Sequence, residues 1–198
     1  MSYVWTAIKK ALNATRPRMR LDDIVVDAAD PQDKQNTYGG WYELAVEFET
    51  SDLDISDAAV RQLSRLAGVE RVAGGNVLNL PNGPRVVCTF AKVVDEGSVW
   101  VILGLPQGSL DRADPRIRDH PFLDEDGASW RRPLDAWLAS LAVRLFDVMP
   151  FSLALVGHEV SGRMSAAQLA AGLPAEHDHV AIVTVTVNDG PKYYPATF

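Results

Sequence analysis

The chain has 198 residues, of which 47% are hydrophobic and 23% charged, with one cysteine and a formal net charge of −7. A chain of this length buries enough surface to fold without disulfides or a structural metal. No run approaches the ~20 apolar residues of a membrane span, the first residues lack the apolar stretch of a signal peptide, and a lone thiol suits a reducing compartment, so a cytoplasmic protein that spans no membrane is expected.

In chain order, the first predicted element is a helix over Tyr3 to Thr15. Val4, Trp5, Ile8, Ala11 and Leu12 fall on one face, with Lys9 and Lys10 off it. Arg16-Pro17 ends it, because the residue before proline avoids the helical region. Residues 28–40 read as a polar loop closed by Gly39-Gly40. Trp41 to Thr50 then alternates. Tyr42, Leu44, Val46 and Phe48 point one way and Glu43, Glu47 and Glu49 the other, which predicts a strand with one wet face. A helix follows from about Ser56 to Ala67, started by Ser56 or Asp57 and stopped by Gly68. Val69 to Leu80, Val86 to Val94 and Ser98 to Leu105 predict three strands of a meander, turned at Asn82-Gly83 and at residues 95–98.

Residues 106–132 are charged and broken by Pro106, Pro115 and Pro121. They predict a long, exposed, irregular polar loop of the kind that carries function. Pro133 to Val148 predicts the main core helix, with Leu134, Leu138, Leu141 and Leu145 in its apolar stripe. Phe151 to Val156 predicts a short strand. Ser165 and Gln168 form a capping box for a helix over Ala166 to Ala171. Val180 to Val187 predicts the last strand, followed by a turn and a tail. The whole reads as one α+β domain over residues 1–198, with a mixed or mainly antiparallel sheet of five to six strands and helices packed on it.

Charge is unevenly spread. Residues 1–20, the basic N-terminal helix, carry five bases and no acid, whereas residues 21–57 carry eleven acids against Lys34 alone. A polyanion such as nucleic acid needs a basic surface, so no nucleic acid is expected as a partner. The acidic segment suits a basic protein partner instead, with Glu43, Glu47 and Glu49 on the predicted wet face and Trp130 in the long loop as contact residues.

Chemistry-bearing motifs are sparse. His177-Asp178-His179 precedes the last strand, and its two histidines share a face if extended. A catalytic zinc usually takes three protein ligands, and His158 could join the pair only through folding. No metal and no cofactor are therefore expected. His158, Glu159, His177 and His179 are the candidates for a small-molecule enzyme or ligand site, should they converge. The Gly157 to Ser165 connection has neither the phosphate-loop nor the nucleophile-elbow spacing. Asp52, Asp54 and Asp57 lack the glycine and glutamate of a calcium loop. Cys88 lies in an apolar strand and reads as a packed thiol. The expectation is a soluble acidic interaction protein without catalysis, its oligomeric state carrying no signal in the sequence.

Overall fold

The computed structural model describes residues 27–81, 83–95, 97–114, 116–117, 128–174, 177, 179–186 and 190–197. The predicted helix over Tyr3 to Thr15, Asn82 of the predicted turn, Asp178 and the middle of the predicted long loop (118–127) lie outside them.

The fold is α+β. The strands are β1 (Trp41–Phe48), β2 (Glu70–Val72), β3 (Gly75–Asn79), β4 (Arg85–Asp95), β5 (Ser98–Pro106), β6 (Leu153–His158), β7 (Val180–Thr186) and β8 (Gly190–Tyr194). They form one sheet in the order β2-β3-β4-β5-β1-β6-β7-β8, with every pairing antiparallel. Eight strands are present where five to six were expected. Two features make the difference. Ala73 and Gly74 turn the chain inside the run predicted as one strand, with Gly74 at φ 88°, a conformation glycine adopts without steric cost. The predicted tail returns as β8, whose Pro191 sits on an edge strand where a missing N–H is tolerated.

The described helices are α1 (Leu53–Ala67), α2 (Gln107–Ala113), α3 (Ala128–Phe146) and the single turn α4 (Ala166–Leu169). Helix α1 starts earlier than predicted, because Asp52 is the N-cap and its carboxylate accepts from Asp54 N–H. It ends as predicted at Gly68, which is left-handed at φ 66°. In α4 the predicted capping box of Ser165 and Gln168 forms in both directions.

Helices α1 and α3 pack together on one face of the sheet. Tyr42, Leu44, Val46 and Phe48 of β1 meet Leu63 of α1 and Leu138, Leu141 and Leu145 of α3 in one buried cluster. Cys88 belongs to this cluster, and burial pushes its thiol up to about 12. On the opposite face, Ala45, Trp100, Ile102, Leu153, Leu155 and Ile182 pack against Val160, Met164 and Leu169. The chain between β6 and β7 therefore covers the second face.

That cover corrects the reading of β1. Glu43 and Glu47 are not on a wet face; they are 7% and 4% exposed. Each carboxylate receives a backbone donor from the covering segment, Ser161 N–H to Glu43 at 3.0 Å and Ala166 N–H to Glu47 at 2.7 Å. Buried carboxylates persist where such donors replace water. Glu49, one residue past β1, is exposed.

The predicted loop over 106–132 also differs. Its start is helix α2, with Gly108, Ser109, Leu110 and Asp111 buried. Ser109 Oγ donates to Ala28 C=O at 2.5 Å and accepts from Val87 N–H at 2.9 Å, which locks α2 against β4. Its end is the first turn of α3, and Pro133 lies inside that helix. Trp130, expected as an exposed contact residue, is 4% exposed and packs on Tyr42 with ring centroids 5.7 Å apart.

Candidate functional site

Two places gather unusual side chains, at opposite ends of β1. The first lies where β1 begins, β6 ends and β7 begins. Tyr42 pairs in register with His158, and His158 closes β6. Over these strands run the first turns of α3, where Arg131 and Asp135 stand four residues apart and so share a face. Both are buried, at 2% and 3% exposure. Tyr42 donates its hydroxyl to Asp135 Oδ1 at 2.5 Å. Arg131 Nη1 lies 3.1 Å from His179 Nδ1. A guanidinium only donates, so that nitrogen accepts and carries no proton.

The electrostatics follow from burial. Asp135 is pushed up to about 7, because desolvation outweighs the Tyr42 hydrogen bond and the Arg131 charge. Burial also holds the Tyr42 phenol well above its ordinary value, with the Asp135 charge adding to it. Tyr193 of β8 is raised by the same two causes. Burial holds His158 below the ordinary histidine value, against the pull of Glu159.

The four sequence candidates are distributed around this end. His158 and Glu159 both crowd Gly40, where a Cβ would meet His158 Nε2 at 2.3 Å and Glu159 Oε1 at 2.8 Å. Glu159 and His179 have positive φ, 48° and 60°, which is uncommon outside glycine. The N–H of Glu159 donates to Trp41 C=O at 2.9 Å and that of His179 to Thr197 C=O at 3.1 Å, and these bonds hold the two conformations. His177 N–H donates to Thr197 Oγ1 at 3.2 Å. Thus His158 and Glu159 lie side by side at Gly40, whereas His179 turns to Arg131 and His177 to Thr197. Among the described residues no three His, Cys, Asp or Glu side chains gather as a metal-holding group.

Tyr42, Arg131 and Asp135 were not singled out from the sequence. A signal existed, since Arg131, Asp135, Leu138, Ala142 and Leu145 follow helical spacing. Two charges on the buried stripe of a core helix mark a polar network rather than a solvated face.

The second place is the far end of β1. A depression of about 570 Å³ opens among Phe48, Glu49, Ile55, Val148, Met149 and Phe151. A neighbouring one of about 600 Å³ shares Glu49 and Phe151 and continues past Leu169 and Val185 to Tyr194. Together they make an apolar trough across the end of the sheet with Glu49 in its middle. Leu53 and Val148 are large apolar side chains left 52% and 51% exposed here. Asp52, Leu53 and Asp54 lie on the chain between the lining residues Thr50 and Ile55, and both aspartates are exposed.

The chain matches no protein-family model, and no match to it was found among curated proteins or solved structures.

Proposed function

We propose that the protein is a non-catalytic binding protein, acting as a single domain, that takes a basic protein partner at the acid-rimmed trough. One observation carries this reading: exposed Glu49, Asp52 and Asp54 surround exposed Leu53 and Val148 over a depression of about 570 Å³. Ion pairs among the described residues engage Asp33, Asp57, Glu70 and Asp114, and none of these three acids. Large apolar side chains left in water favour association, while unneutralised carboxylates select a cationic partner and speed its approach. The same charge repels nucleic acid. The expected contact residues move accordingly, from Glu43, Glu47 and Trp130 to Glu49 and its neighbours.

The test is capture of partners from the native host by wild-type, Glu49→Lys and Val148→Asp proteins. Each substitution should weaken the principal partner by ~10-fold or more, equivalent to ~1.4 kcal/mol. A partner retained equally by all three proteins would overturn the reading.

A second reading, a small-molecule enzyme or ligand-binding protein, draws support from the Asp135 carboxyl poised at about 7 beside Tyr42 and near His158. Carboxyls with values near neutrality suit proton transfer. Neither depression of the trough is lined by any of these residues, so this second reading belongs to a different end of the sheet. The trough is the better-supported site.

A further inference from the structure

We infer that the outer edge of β4 is a pairing surface for a second copy of the chain, joining the two sheets antiparallel with Val93 facing its counterpart. The inference is independent of the trough, whose lining shares no residue with this edge.

The ladders of β4 leave that edge open. Strand β3 pairs with Arg85 to Cys88, and β5 pairs with Thr89 to Asp95. Past Cys88, only one side of β4 carries a strand among the described residues. Val87 N–H donates to Ser109 Oγ in the helix that directly follows β5, so Val87 turns its backbone groups to the β5 side. Alternation along the strand then turns those of Thr89, Ala91, Val93 and Asp95 toward β5, and those of Phe90, Lys92 and Val94 over the open side. Val93 and Val94 are 45% and 55% exposed, one on each face. Open apolar edges are templates for pairing unless a proline, a bulge or a charge blunts them. Thr89 to Asp95 contains no proline, and its register with β5 runs residue for residue from Gly104 to Ser98. Lys92 is the charge inside this edge, and Asp57 of α1 holds its ammonium at 2.6 Å.

The occupant follows from the sequence of the edge itself. Two copies related by a two-fold axis pair antiparallel, and residues that face each other lie on the same side of the joined sheet. Centring on Val93 meets that condition. Lys92 then exchanges backbone hydrogen bonds with the partner's Val94, since both turn their N–H and C=O outward. Val93 packs on the partner's Val93 in the closer, non-hydrogen-bonded kind of pair. Ala91 faces the partner's Asp95, and no like charges meet. Centring on Lys92 instead would set two ammonium groups face to face, which is destabilising. A charge match extends the contact. Beside Thr89 and Phe90 lies a groove of about 750 Å³ whose lining includes Arg61 and Arg71 and no acid. The partner's Asp95, exposed at the end of its hairpin, arrives next to Phe90 at the mouth of that groove.

The experiment follows the full chain by sedimentation velocity from low to high micromolar concentration. Wild type should pass from monomer to dimer as concentration rises. Val93→Lys sets two cations face to face, and Val94→Pro removes an outward N–H. Each should raise the dimer dissociation constant ~10-fold or more. Proline is tolerated on an open edge, so both variants should keep the wild-type circular dichroism. Register is read by cysteine substitution, because Cys88 is buried and stays out of the reaction. Under oxidation Val93→Cys should form a disulfide-linked dimer, since facing residues of this kind bring their Cβ atoms within disulfide reach. Asp95→Cys should not, because it faces Ala91 and not its own counterpart. Glu49→Lys, in the trough, should leave the dimer unchanged. A wild type that stays monomeric throughout, a dimer indifferent to Val93→Lys and Val94→Pro, or Asp95→Cys linking as fast as Val93→Cys would overturn the inference. A dimer lost on Glu49→Lys would do the same, by moving the interface to the trough.

Discussion

The Tyr42 hydroxyl donates to the Asp135 carboxyl across 2.5 Å, joining the central strand to the second turn of the longest described helix. Stability should therefore depend on the Asp135 proton. Its folded-state value of about 7 exceeds the 3.8 of the free group. Between those values the folded state binds the extra proton, so stability is greatest near the lower one and falls as pH rises through the window. The loss should be on the order of 4 kcal/mol, at ~1.4 kcal/mol per pH unit across that window. His158, with its value lowered, acts in the opposite sense just below the ordinary histidine range. Comparing wild type with Asp135→Asn isolates the aspartate, since Asn keeps an acceptor for Tyr42 but cannot titrate. Denaturant midpoints measured from pH 4 to 8 should show a flatter profile for the variant; parallel profiles would refute this account.

Leu141 is fully buried between α1 and the sheet. Leu141→Ala should cost ~2–5 kcal/mol, through lost transfer energy and the cavity left behind. Ser140, its exposed neighbour on α3, should tolerate alanine within ~0.5 kcal/mol. Urea unfolding of both variants checks the assignment of the helix faces.

Glu47 and Glu49 should behave oppositely although they are two residues apart. Glu47→Ala strands the Ala166 N–H and should cost ~1–3 kcal/mol. It should also speed proteolysis between residues 160 and 173, whose anchor it removes. Glu49→Ala should leave stability within ~0.5 kcal/mol and slow association with a basic partner instead. Thermal melts, cleavage-site mapping and association rates at two salt concentrations separate the two roles.

His179 is held at φ 60° and bonded to Arg131. Asparagine tolerates that backbone better than alanine does, so His179→Asn should be more stable than His179→Ala by ~1 kcal/mol. Metal analysis of untagged protein should find no stoichiometric zinc in wild type. Zinc lost in both His177→Ala and His179→Ala would restore a metal site here.

Much of the architecture was legible from local signals. The left-handed cap at Gly68, the Ser165–Gln168 box and the strand at β1 each depend on neighbouring residues, and each appears. What a face meets is not a local property. Glu43 and Glu47 look wet in sequence because the Ser161 and Ala166 donors arrive from more than a hundred positions away. Helix α2 was missed because Pro106, Gly108 and the charges around them resemble a loop, while its stabilising contacts run from Ser109 to Ala28 and Val87. Asp135 was legible in principle, yet its partner Tyr42 looked like one more apolar strand residue.

The place of β1 in the sheet sets a schedule for assembly. It is the first described strand in the chain but sits between β5 and β6, whose residues begin only at Ser98 and Leu153. During synthesis from the N-terminus, β1 waits with both ladders open and with Leu44, Ala45 and Val46 uncovered. The β4–β5 hairpin closes on its own and then offers β1 one neighbour, while the other edge stays open until His158 has been made. Pairings of such long sequence separation slow folding and prolong exposure of a sticky strand. A nascent chain halted before Leu153 should accordingly be the most aggregation-prone species of this protein, and chaperone demand should peak there.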